Sequence, residues 1–193
     1  YILTNEAMPG IIKIGWTDSS IEQRMKELDK TGTPLPFTCY YAKQVDDPTF
    51  VESKLHEAFD KFRIRDNREF FRMIPEHAKA ALEIASGKDV TPKDDVVETE
   101  GDRAALQKER KRNRFNFAEV GVEQGEILKF KKNPSITCKV VENDQVEFRG
   151  RKTSLTNSAL EIIHEMGYKW TKIAGPQFWT YKGKTLYDLN QED

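Results

Sequence analysis

Tyr1-Ile2-Leu3-Thr4-Asn5 and, after a short polar stretch, Ile11-Ile12-Lys13-Ile14-Gly15-Trp16-Thr17 are the two runs that decide the fold of this chain. Both are rich in β-branched residues and read as short strands. Paired with each other, their two-residue alternation brings the polar tips of Tyr1 and Lys13 to one face. Gly15 closes the second run, where a missing side chain lets other groups come close to the backbone.

Downstream, Ser19 with Glu22 forms a capping-box pattern ahead of Ile21, Met25 and Leu28, which predicts a short amphipathic helix carrying Arg24. Thr33-Pro34-Leu35-Pro36 breaks it, and Phe37 to Lys43 reads as a third strand. Asp47-Pro48 supplies an N-cap and a first-turn proline, and Val51, Leu55, Phe59 and Phe62 form the apolar stripe of the next helix. Glu52 lies beside that stripe, and His56, one turn on, shares its face. Pro75 opens a further helix through Ala85. The expected fold of residues 1–85 is therefore α/β (α+β), a small three-stranded sheet flanked by helices.

Residues 86–114 lose apolar periodicity and read as a polar, charged linker, helical in part from about Asp102. Residues 115–193 regain it as a second, strand-rich α+β domain. Strands are expected over Ile127 to Lys131, Ile136 to Val141 and Gln145 to Arg149, the last two joined at Asn143-Asp144. Ser158 to Met166 reads as a helix ending at Gly167, and Phe178 to Tyr181 as a final strand.

Across 193 residues, 31 Lys and Arg face 32 Asp and Glu, so no global basic field draws the chain to nucleic acid. Any such binding must rest on local clusters. Cys39 and Cys138 are far apart and lack metal-ligand spacing, which points to a reducing, cytoplasmic setting. No apolar run reaches membrane length, and no membrane partner is expected. The chain starts inside a strand and without Met, so a fragment is expected.

The order Met8-Pro9-Gly10, Lys13-Ile14-Gly15-Trp16-Thr17, Arg24, Gly32-Thr33-Pro34, Glu52 with Leu55-His56, and Asn67-Arg68-Glu69-Phe70-Phe71 resembles the GIY-YIG nuclease core. The likeness is to its phage-type branch, where Lys-Ile-Gly stands in for Tyr-Ile-Gly. It implies a DNA endonuclease, acting in restriction or defence against phage, in which Tyr1 activates or orients the attacking water, Arg24 contacts the scissile phosphate and Glu52 holds one divalent ion. Mg²⁺ (or Mn²⁺) suits a site offering one hard carboxylate and substrate phosphate.

A free phenol with a pKa of about 10 is a poor base unless a cation favours its ionised form, and Lys13 is placed to do that. Arg24 offers a fork of donors suited to a phosphate, though a surface pairing with Glu27 or Asp29 fits as well. His56 could order a water or help the leaving group, and Asn67 could help orient Glu52. Arg63, Arg65 and Arg68, close after the Glu52 helix, are candidates for phosphate contact, as is the open backbone at Gly15.

In the second domain, Thr153-Ser154-Leu155 through Trp179-Thr180-Tyr181-Lys182-Gly183 more loosely resembles the RAMA module of restriction-associated proteins, which implies DNA binding, including binding of modified DNA. Arg149, Arg151, Lys152, Lys169, Trp170 and Lys172 combine cations with an aromatic ring there, and a ring beside Lys172 could stack on an unpaired base. The alternative is a non-catalytic nucleic-acid-binding or adaptor protein that keeps the fold. Joint presence of Tyr1, Lys13, Arg24 and Glu52 favours the enzyme.

Overall fold

The computed structural model describes residues 1–29, 32–112, 115–170 and 173–190. They form two compact units, Tyr1–Asn113 and Arg114–Asp193. The mixed α+β class expected from the sequence is what both units show.

In the first unit β1 (Ile2–Thr4), β2 (Ile11–Ile14), β3 (Thr38–Tyr41) and β5 (Phe70–Arg72) build one antiparallel sheet in the order β3-β1-β2-β5. Three strands were expected, and the fourth is β5. It is too short to show alternation, and it forms because the free edge of β2 pairs Ile12 with Phe71 and Lys13 with Phe70. The β1–β2 register sets Leu3 opposite Lys13, so Tyr1, Leu3, Lys13 and Gly15 share one face. Over that face packs α1 (Ile21–Asp29) through Ile21 and Met25, against Leu3, Phe37 and Cys39. Ile2, Ile12, Ile14 and Phe71 point the other way, onto Leu55 of α2 (Pro48–Ala58) and Ala78 and Leu82 of α3 (Pro75–Ile84).

Local details depart from expectation in two helices. The α1 cap is Ser20, whose Oγ accepts from Gln23 N at 3.2 Å, while Ser19 is turned to the Thr17 hydroxyl at 2.9 Å. Asp47 caps α2 as expected, accepting from Phe50 N at 2.9 Å. That helix ends at Ala58, so Phe62 sits in a short 3-10 turn and is 42% exposed instead of extending the apolar stripe.

The stretch expected to be a linker is packed into the first unit. Lys43 and Gln44 form β4, which pairs with β6 (Lys88–Asp89). Gly87 permits this at φ 148°, since a Cβ there would lie 2.0 Å from Gln44 O. Helix α4 (Glu100–Arg112) buries Leu106. Its Arg110 donates to Asp95 at 2.6 and 2.8 Å, to Glu6 at 3.2 Å and to Thr38 Oγ1 at 3.1 Å. Composition counts apolar residues and so misses a segment anchored by one leucine and one five-donor guanidinium.

The second unit is a six-stranded antiparallel sheet in the order β10-β9-β8-β7-β11-β12, made of β7 (Ile127–Phe130), β8 (Asn133–Glu142), β9 (Gln145–Phe148), β10 (Arg151–Ser154), β11 (Trp179–Tyr181) and β12 (Lys184–Thr185). Two of these strands, β10 and β12, were not expected. They follow two-residue turns at Arg149-Gly150 and Lys182-Gly183, all four at positive φ, the signature of tight hairpins. Helix α5 (Leu155–Glu165) starts three residues earlier than expected because Ser154 Oγ caps Asn157 N at 3.1 Å. The core centres on Trp179, which meets Phe130 and Phe148 edge-on and donates to Leu155 O at 3.3 Å. A last short helix, α6 (Leu186–Leu189), closes the unit. Among the described residues no helix is long and apolar enough to cross a membrane.

Candidate active site

Tyr1 and Gly15 form a hydrogen-bonded antiparallel pair, with Tyr1 N donating to Gly15 O at 2.7 Å and Gly15 N to Tyr1 O at 3.1 Å. The phenol ring then lies over Gly15, where any side chain would collide with it. Its Oη accepts from Arg24 Nε at 3.3 Å, so α1 delivers Arg24 to the hydroxyl. Burial pushes the Tyr1 phenol above its ordinary value, an effect only partly offset by the Arg24 hydrogen bond and charge. The cation at the hydroxyl is thus Arg24, whereas Lys13 had been expected there.

Lys13 is buried, pairs with Glu69 and sits 5.2 Å from the Phe70 ring centre. Glu69 was quoted in the motif and given no role there. Its place in the site comes from β5, since Ile14 N donates to Glu69 O at 3.1 Å and fixes the residue beside the end of β2.

Glu52 arrives from the opposite layer, on α2, and its side chain is 17% exposed. Burial raises its carboxyl above the ordinary value; His56 and Lys13 offset part of this and the Glu69 charge adds to it. His56 Nε2 lies 3.0 Å from Ile14 O and 3.8 Å from Glu52 Oε1, with its ring 5.1 Å from that of Phe71. A carbonyl oxygen can only accept, so Nε2 carries the proton and ties α2 to β2.

Tyr1, Arg24, Lys13, Glu52, Glu69 and His56 therefore gather around the end of β2. A cleft of 640 Å³ opens there, with Tyr1, Gly15 and Glu52 in its lining. A second hollow of 620 Å³ lies across Glu52 and is lined by His56, Asp60 and Arg63. Arg63 itself is largely built in: its Nε donates to Asp60 at 3.1 Å, its Nη1 to Arg68 O at 3.0 Å, and its guanidinium lies 4.9 Å from the Phe71 ring. Arg65, Asn67 and Arg68 are exposed on the following turn. Among the described residues no hydrogen bond joins Asn67 to Glu52.

A half-buried carboxylate beside an open cleft fits a hard divalent ion, because Mg²⁺ takes one or two carboxylates and completes its shell with water and substrate phosphate. Glu52 is the group that would hold it. Among the described residues no three His, Cys, Asp or Glu side chains converge on one point.

In the second unit Arg149 binds Glu161 and Glu165, Arg151 binds Glu161 at 2.8 Å, and Lys152 binds Glu142. Three of the cations assigned to DNA are thus balanced locally. Lys169 is exposed, and Trp170 is half-buried, edge-on to Phe178 and 5.1 Å from Tyr168. Lys132 lies over both Tyr168 and Trp170, at 4.7 and 5.9 Å. Lys172 lies outside the described residues.

Neither a curated protein nor a solved structure matches this chain. Residues 1–86, which carry every residue of the cleft except Val90, match the family model of the T5orf172 domain.

Proposed function

We propose that the first unit is a metal-dependent DNA endonuclease of the GIY-YIG type and that the second unit recognises DNA, modified DNA included. The carrying observation is the meeting of Tyr1, Arg24 and Glu52 at the end of β2, in the stretch that matches a nuclease-associated family. A restriction or phage-defence setting agrees with that family.

One divalent ion, Mg²⁺ or Mn²⁺, held by Glu52, would neutralise phosphoryl charge and help the leaving oxygen. The chain's own groups do the rest. Arg24 Nε is spent on Tyr1, and Nη1 makes only a long, 3.4 Å contact with Glu27, so the end of the guanidinium can swing onto the scissile phosphate. Tyr1 Oη accepts from Arg24 and keeps its own proton to donate, which orients a water rather than deprotonating it. The raised phenol pKa favours this neutral role near pH 7. Lys13 and Glu69 fix the floor beneath both groups. In the second unit Lys169, Trp170 and Lys132, which lies over the Trp170 ring, form the DNA face, with Arg149, Arg151 and Lys152 reaching phosphate only by exchanging their carboxylate partners.

Supercoiled plasmid incubated with the full chain tests this. Nicking in Mg²⁺ that stops with EDTA and with Glu52→Gln supports the enzyme. Tight DNA binding with no nicking in either Mg²⁺ or Mn²⁺ would leave the binding-protein reading.

A further inference from the structure

The cleft beside Glu52 is lined by groups of two kinds. Tyr1, Gly15 and Glu52 are the groups suited to a phosphodiester. The cleft's apolar walls are Trp16, Val45, Pro48, Val51, Leu82 and Val90, and the charged Asp18, Glu22 and Lys43 line it as well. Trp16 directly follows Gly15, whose backbone is pinned to Tyr1, so its Cα is fixed next to the phenol. Its indole is 39% exposed, and among the described residues it makes no hydrogen bond and no ring contact. A bare indole lining a cleft of 640 Å³ with apolar walls, within the usual size of a small-molecule site, is placed to stack on a flat partner.

We infer that this cleft takes an unpaired DNA base next to the scissile phosphate, stacked on Trp16, so that the substrate is DNA with a nucleotide out of the helix. Of the parts of a nucleotide only the base is flat and apolar on its faces. The Gln44 amide in the lining suits the polar edge of a base, while the hydroxyls of Thr17, Ser19 and Ser20 are engaged at the start of α1. A base inside a duplex is covered on both faces and must be unstacked to reach the cleft, which costs least where it is already unpaired or mismatched. The inference rests on the nuclease reading only for the part played by Tyr1 and Glu52.

The test is equilibrium binding of the full chain in EDTA to three fluorescein-labelled DNAs: a paired duplex, the same duplex with one bulged nucleotide, and the bulge made abasic. The expected result is a preference for the bulge of about tenfold, lost with the abasic bulge, lost in Trp16→Ala and kept in Trp16→Phe. Equal affinity for all three DNAs, or a preference that survives Trp16→Ala, overturns it. Cleavage of the same DNAs in Mg²⁺ separates the two readings. Cutting without bulge preference sinks the base cleft and leaves the nuclease, and base-dependent binding without cutting does the reverse.

Discussion

The Tyr1 phenol occupies the space that a side chain on Gly15 would need: a Cβ there would stand 2.7 Å from Oη and 2.8 Å from Cζ. Gly15 had been assigned to close approach of DNA, but the group it admits is the tyrosine. Gly15→Ala should swing the ring off Arg24 while β2 keeps its ladder. Cleavage should fall by about 100-fold, because small misplacements of a reacting group cost that much. DNA affinity should stay within threefold, as about one phosphate contact at most is disturbed. Single-turnover cleavage beside binding in EDTA checks this; matched losses in both would contradict it.

Glu52→Gln should abolish cleavage and raise the Tm. The sign follows from the raised carboxyl pKa. Below the ordinary value near 4.5 the group is protonated in both folded and unfolded chains, so glutamate costs nothing extra. As pH climbs through the raised folded value, ionising a half-buried carboxyl withdraws stability, which glutamine does not suffer. The Tm gap between variant and parent should therefore widen from pH 4 to pH 7, read by thermal melts across that range. A gap of the opposite sign would mean Glu52 is a structural carboxylate.

Glu69→Gln removes a charge that raises the pKa of Tyr1. The alkaline limb of the pH–rate profile should move to lower pH. Lys13, left buried without its ionic partner, should lower stability by about 1–2 kcal/mol. Urea unfolding and a pH–rate series measure the two effects separately, and an unmoved alkaline limb would detach Glu69 from the tyrosine.

A chain cut after Ser86 lacks β6, Leu106 and the Arg110 clamp on Glu6, Asp95 and Thr38. Losing one buried leucine alone costs about 1.5–3 kcal/mol. Residues 1–113 should accordingly unfold at higher urea than residues 1–86, with a larger dependence on denaturant from the greater buried surface. Identical unfolding curves would restore the tether once expected there.

How far the site could be read in advance differs residue by residue. Arg24 and Glu52 were legible because each sits on a helix announced by a cap, Asp47-Pro48 most clearly. Tyr1 and Lys13 on one face followed from strand alternation. Glu69 was not legible, since its approach depends on β5, a three-residue strand with no periodic signal of its own. Trp16 was read only as the end of a run, because exposure beside a cleft is a property of the assembled surface.

The sequence by itself determined the type of the longer strands and helices in both units, through patterns that repeat within one element: two-residue alternation, capping side chains and turn glycines. Tertiary structure alone decided which of those elements share an edge. It set β5 on β2 and so brought Glu69 to Lys13, and it laid Arg110 across Asp95 and Glu6, 15 and 104 positions away in the chain. Such contacts leave no local pattern, because their free energy comes from partners distant in sequence whose hydrogen bonds and buried surface exist only once the chain has closed.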